Sequence, residues 1–194
     1  MVIVAAVALL AIGGYYVLPF LSSSSVDIVS HCSPEVTAQH YHPLLVINVG
    51  GTQQVIPAEI GIAPSATNPR YQCPSGQIHI LHTHDGSGII HAEMPASITR
   101  TPTLGDFFTI WGQPLSPSGV WTFSGSVSAE VLNLGSGQSQ DHSANPGGIL
   151  LYAPPGGTDP FAIPPNLIFN GAYGTGQSGG VFSGEIVYLN VTAA

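Results

Sequence analysis

Residues 81–95 read Leu-His-Thr-His-Asp-Gly-Ser-Gly-Ile-Ile-His-Ala-Glu-Met-Pro and hold three of the chain's eight histidines. Neutral imidazole is a ligand for Cu, Zn and Ni, and three or four on one surface are enough for a site. Asp85-Gly86-Ser87-Gly88 is the strongest turn signal in the chain, because glycine takes positive φ without cost. If these residues close a hairpin, His84 lies opposite Ile89 and His82 opposite His91. Residues two apart on a strand share a face, and so do directly opposed residues. His82, His84 and His91 then project from one side of the hairpin. His40 and His42 share a face ahead of another apolar run and can join from a neighbouring strand. Asp85 or Glu93 can stand behind an imidazole as the acceptor that orients it. The expected cofactor is copper or zinc.

The plain alternative is a hydrogen-bonded polar cluster that fixes the hairpin. For one isolated histidine that alternative wins; His-x-His with an opposed third histidine tips the reading to metal. His31, His79 and His142 stay with the structural role, and His79 has the opposite strand parity from His82 and His84. Catalytic templates fail. A cupin pattern wants a Glu three or four residues past His-x-His, where this chain has Ser87 and Gly88. A metallo-hydrolase His-x-His-x-Asp-His is not met, since Asp85 follows His84 directly. There is no His-Glu-x-x-His and no Gly-x-Ser-x-Gly. A blue-copper set needs Cys, His and Met together, yet Met94 is the only methionine beyond the first residue. Binding without catalysis is expected.

Strands and turns must position these groups. Residues 44–49 are a near-continuous apolar run closed by Gly50-Gly51, a hairpin signal. Pro57 ends or edges the strand that follows. Residues 77–81 lead into the histidine hairpin as a strand. Thr103 to Trp111 reads as a helix: Thr103 caps it, Asp106 favours its positive end, and Leu104, Phe107, Phe108 and Trp111 form the apolar stripe. Gly112 is placed to end it, with Pro114 following. From Gly119 onward, strand-like runs at 120–134, 149–152, 167–169 and 185–191 alternate with stretches rich in Gly, Ser, Pro and Asn. Asn190-Val191-Thr192 is a single glycosylation sequon.

Of 194 residues only 6% are charged, lysine is absent, and Arg70 and Arg100 are the only Lys/Arg residues. Soluble domains average roughly 25%. With a formal charge of −8, the chain has no basic patch to neutralise phosphates, and nucleic acid is excluded as a partner. A hydrophobic fraction of 44% supports a core. Residues 1–21 are almost wholly apolar and no charge precedes Asp27. About 20 such residues span a bilayer as a helix, or form the core helix of a pilin-like filament subunit. A basic n-region and a small-x-small cleavage site are both missing, so retention is expected. Cys32 and Cys73 are expected to form one disulfide in an oxidising exterior. It would contribute roughly 4 kcal/mol in the chain-entropy model.

Several blocks resemble a largely uncharacterised family of exported, membrane-anchored archaeal and bacterial proteins. They are His40-Tyr41-His42-Pro43, Ile56-Pro57-Ala58-Glu59-Ile60-Gly61-Ile62, Leu81-His82-Thr83-His84-Asp85, Ser87-Gly88-Ile89-Ile90-His91-Ala92-Glu93, Thr103-Leu104-Gly105-Asp106-Phe107-Phe108 and Trp111-Gly112. The resemblance implies an exported small domain with a shared histidine motif and no established activity. Members end soon after the helix; here the tail is much longer.

The expected architecture is α+β and mostly β. An N-terminal helix (1–21) and a linker (22–37) precede a histidine-rich β/α domain (38–118) and a β-rich extension (119–194). The sheet is β-grasp-like with one helix across it, or sandwich-like if the tail extends it. The expected function is a membrane-anchored, cell-surface metal-binding domain. The alternative is a structural subunit that self-assembles into a pilus, filament or surface layer, where low charge suits packing against copies of itself.

Overall fold

The computed structural model describes residues 27–35, 38–134, 136–151 and 184–192. The expected helix at 1–21 and the strand at 167–169 lie outside the described residues. The first elements are β1 (Cys32–Ser33), β2 (Gln39–Tyr41), β3 (Leu44–Val49), β4 (Thr52–Gln54), β5 (Ile78–His79), β6 (Leu81–His82) and β7 (His91–Met94). Helix α1 (Leu104–Trp111) follows. Then come β8 (Leu115–Ser116), β9 (Gly119–Val120), β10 (Phe123–Ser124), β11 (Ser126–Asn133), β12 (Gln138–Asp141) and β13 (Glu185–Thr192). The described chain is mostly β with one α-helix, and none of its helices is long and apolar enough to cross a membrane.

The largest sheet runs β12-β11-β13-β3-β4. The apolar run of β3 sits inside it, antiparallel to β4 and parallel to β13. Gly50 and Gly51 take φ of 57° and 80° at the β3–β4 turn, which only glycine does cheaply. The sheet takes strands from both sides of residue 118, so the tail completes what β3 begins. Residues 149–151 form no strand; a single bridge joins Leu150 to Thr103.

A smaller antiparallel sheet, β2-β7-β6, carries the histidines. It hangs on the large one through the Leu44–Ile89 bridge and the bonds from Leu45 N to Gly88 O (2.8 Å) and from Ile90 N to Pro43 O (2.9 Å). Leu81, Ala92 and Met94 turn inward from it onto the shared core with Leu45, Ile47, Phe107, Phe108 and Val187. Helix α1 supplies the aromatic side of that core. Its capping box is complete: Thr103 Oγ1 accepts from Asp106 N, and Asp106 Oδ2 accepts from Thr103 N. Gly112 ends it in the left-handed conformation.

Cys32 and Cys73 form a disulfide. Cys32 also pairs with His79 across β1 and β5, so the bridge holds the segment that leads into the histidine sheet.

Candidate metal centre

Strand alternation builds the site. His82 lies opposite His91 across β6 and β7, and His40 lies opposite Glu93 across β2 and β7. His91 and Glu93 are two apart on one strand. All four therefore share the sheet face away from Leu81, Ala92 and Met94. His42, just past β2, brings its ring centroid to 4.3 Å from His40 and 4.6 Å from His91. His84, past β6, brings its ring to 4.8 Å from His82 and 4.4 Å from His91.

The donor atoms converge. His82 Nε2 and His84 Nε2 are 3.2 Å apart. Glu93 Oε1 lies 3.1 Å from His40 Nε2, 3.8 Å from His91 Nδ1 and 4.0 Å from His82 Nε2. One donor atom each from His82, His84, His91 and Glu93 falls within 4.8 Å of all the others, and the same holds for His40, His42 and His91.

The orientation of His82 is fixed from behind. Its Nδ1 is 2.9 Å from the carbonyl oxygen of His79. A carbonyl only accepts, so Nδ1 carries the proton. Burial pushes the His82 pKa down to about 3, so the ring is neutral and Nε2 presents a bare lone pair to the cluster. This is the arrangement that metal-ligating histidines use. Burial likewise pushes His91 down to about 2 and His42 to about 4, each helped by neighbouring histidines. Burial also lowers His40, against the opposing pull of Glu35.

Glu93 is itself buried, and burial raises its pKa. Its Oε2 is a buried oxygen with no hydrogen-bond partner among the described residues. Neither arginine reaches it: Arg100 makes a bidentate pair with Asp106, and Arg70 lies over the Tyr71 ring. A cation among these donors would pair the carboxylate and use the imidazole lone pairs at once.

The hairpin expected at 81–95 is partly different. His82 does pair with His91, but His84 does not pair with Ile89. Thr83 explains the departure. It is buried, its hydroxyl donates to Pro57 O and accepts from Ile60 N, and its own N–H donates to Ile60 O. These bonds pull the chain out of the ladder after His82, and Ile89 bridges to Leu44 instead. Asp85 does not orient an imidazole; its Oδ1 accepts from Ser87 N and closes the loop. Glu93 stands among the donor atoms rather than behind them.

Two groups near the site carried no sequence signal. Glu35, exposed, places Oε1 3.8 Å from His84 Nε2. Thr83 holds the backbone between the two histidines of His-x-His. His79 is buried outside the cluster, with Nε2 bonded to the Tyr71 carbonyl. Cys32, Cys73 and His79 also lie close together, but their sulfurs are spent in the disulfide. Asn190 sits in central strand β13, half-buried, and its Oδ1 accepts from Asn48 Nδ2. Sequons ordinarily occupy surface loops.

No family model, curated protein or solved structure matches the chain.

Proposed function

We propose that this protein is an extracytoplasmic metal-binding domain that holds copper or zinc, without catalysis, on the face shared by His40, His82, His91 and Glu93. The observation that carries the reading is His82: Nδ1–H is spent on the His79 carbonyl and the bare Nε2 points at a second imidazole and a buried carboxylate. A mostly imidazole donor set with one carboxylate suits Cu(II) or Zn(II) and not the oxygen-seeking Ca or Mg. The disulfide fits an oxidising exterior. The apolar N-terminal stretch fits a membrane anchor. The fold is read as sandwich-like, because the tail strands extend the sheet of β3 over a shared core.

The test is elemental analysis of the full chain purified at neutral pH, beside a His82→Ala/His84→Ala variant. Stoichiometric copper or zinc in the first and its loss in the second is the expected result. Metal-free protein after dialysis against both ions refutes the reading.

A second reading is a self-assembling cell-surface subunit with purely structural histidines. It is favoured by β12, which among the described residues is an edge strand and whose four residues are all exposed. Such an edge offers unpaired backbone groups to another chain. Sizing of the same sample separates the readings: large self-associated species without metal support the second.

A further inference from the structure

Six donor groups converge on one sheet face, more than a four-coordinate ion uses. They divide without remainder. His40, His42 and His91 form one set whose donor atoms lie within 4.8 Å of one another. His82, His84 and Glu93 belong to the other close set and remain once His91 is assigned to the first. Three protein donors are what an open zinc or copper site ordinarily has, with solvent in the remaining position.

Given the metal reading above, on which this rests, we propose that the cluster holds two transition-metal ions side by side. The inner ion sits on His82, His84 and Glu93, and the outer ion on His40, His42 and His91. Two adjacent cations repel, and a carboxylate between them offsets that repulsion. Glu93 is in that position. Its Oε1 is 3.1 Å from His40 Nε2, in the outer set, and 4.0 Å from His82 Nε2, in the inner set. Its second oxygen, Oε2, is buried and has no hydrogen-bond partner among the described residues, so one carboxylate keeps an oxygen for a second ion. His40 Nε2 and His91 Nδ1 stand 3.3 Å apart, as two ligands of one ion can.

The two sets differ in access. The inner set has two buried donors, His82 and Glu93, beside a His84 side chain that is 43% exposed, whereas in the outer set the His40 side chain is 42% exposed and that of His91 20%. The inner ion is therefore the tighter one, and the outer ion exchanges with solvent first. An outer position that fills and empties while the inner one stays loaded suits uptake or hand-over of metal.

The experiment is equilibrium dialysis of the full chain against Zn(II), with bound metal counted by elemental analysis, for the wild type, His40→Ala and His84→Ala. The expected result is two zinc ions per chain in two affinity steps. His40→Ala retains the tighter step and loses the weaker, and because His40 is exposed its truncation leaves the core intact. His84→Ala weakens the tighter step. Loading with Cu(II) gives a second readout: the resonance signal per copper falls at the second equivalent as the spins couple. A wild type that stops at one ion overturns the pair while leaving the metal reading standing. A wild type that binds none fails the metal reading itself. Two uncoupled Cu(II) signals, or a His40→Ala variant that still binds two ions, also overturn the pair.

Discussion

Glu93 and His40 face each other across two strands, with Glu93 Oε1 3.1 Å from His40 Nε2. The other Glu93 oxygen is buried and has no hydrogen-bond partner among the described residues. A buried carboxylate with no guanidinium or ammonium beside it costs stability unless something pairs it.

Glu93→Gln tests that cost and its compensation together. The neutral amide has the same shape and carries no charge to desolvate. Without metal, the variant should melt at or above the wild-type temperature at neutral pH. With zinc or copper added, it should gain less stabilisation than the wild type, because a ligand that binds only the folded state stabilises in proportion to its affinity. Affinity should fall at least tenfold, the scale seen when even a supporting group of a metal site is removed. An unchanged metal-induced shift in melting temperature would show that Glu93 does not touch the ion.

Acid should destabilise the metal-free protein through the same cluster. The pKa values of His42, His82 and His91 fall to about 4, 3 and 2 on folding, from an ordinary 6.5, chiefly by burial. The unfolded chain therefore binds more protons than the folded one below pH 6.5. The stability these groups contribute is complete above that value and is lost progressively as pH drops through the folded values. Glu93 works the other way, since its raised pKa lets the folded state hold a proton more tightly than the unfolded. One carboxylate does not outweigh three depressed histidines, each pKa unit being worth about 1.4 kcal/mol. Urea unfolding in the presence of a chelator should show a lower midpoint at pH 4.5 than at pH 7.5. A flat midpoint over that range would mean that the histidines are solvated.

Much of the site was legible because strand parity is a strict rule. The turn at 85–88 put His82 opposite His91, and the structure has that pair. The helix was equally plain, since Thr103, Asp106 and Gly112 each occupy the position their chemistry favours. Three things were not legible. The departure of His84 from the ladder depends on Thr83 reaching Pro57 and Ile60, a long-range contact with no local signature. Glu93 shares parity with His91, but whether a carboxylate binds or merely orients depends on distances that parity does not fix. Strand β12 reads Gln-Ser-Gln-Asp, without an apolar alternation, and is a strand only because β11 pairs with it.

Thr83→Val tests the positioning of the His-x-His pair. The substitution keeps the shape and deletes the hydroxyl, leaving the buried Ile60 N–H and Pro57 carbonyl without their partner. Each unsatisfied buried group costs about 1–3 kcal/mol, so chemical denaturation should report a loss of roughly 2–4 kcal/mol. Metal affinity should fall too, because the backbone between His82 and His84 loses its anchor. Full affinity in a destabilised variant would show that Thr83 supports the fold alone.

Metal held by imidazoles has a direct spectroscopic signature. X-ray absorption at the zinc edge of the loaded full chain reads the ligands directly. A first shell of nitrogen and oxygen at roughly 2.0–2.1 Å, with the outer-shell scattering of two or more imidazole rings, is the predicted spectrum, and that scattering should drop in His82→Ala/His84→Ala. A shell of oxygen alone, with no imidazole scattering, would rule out the histidines as ligands.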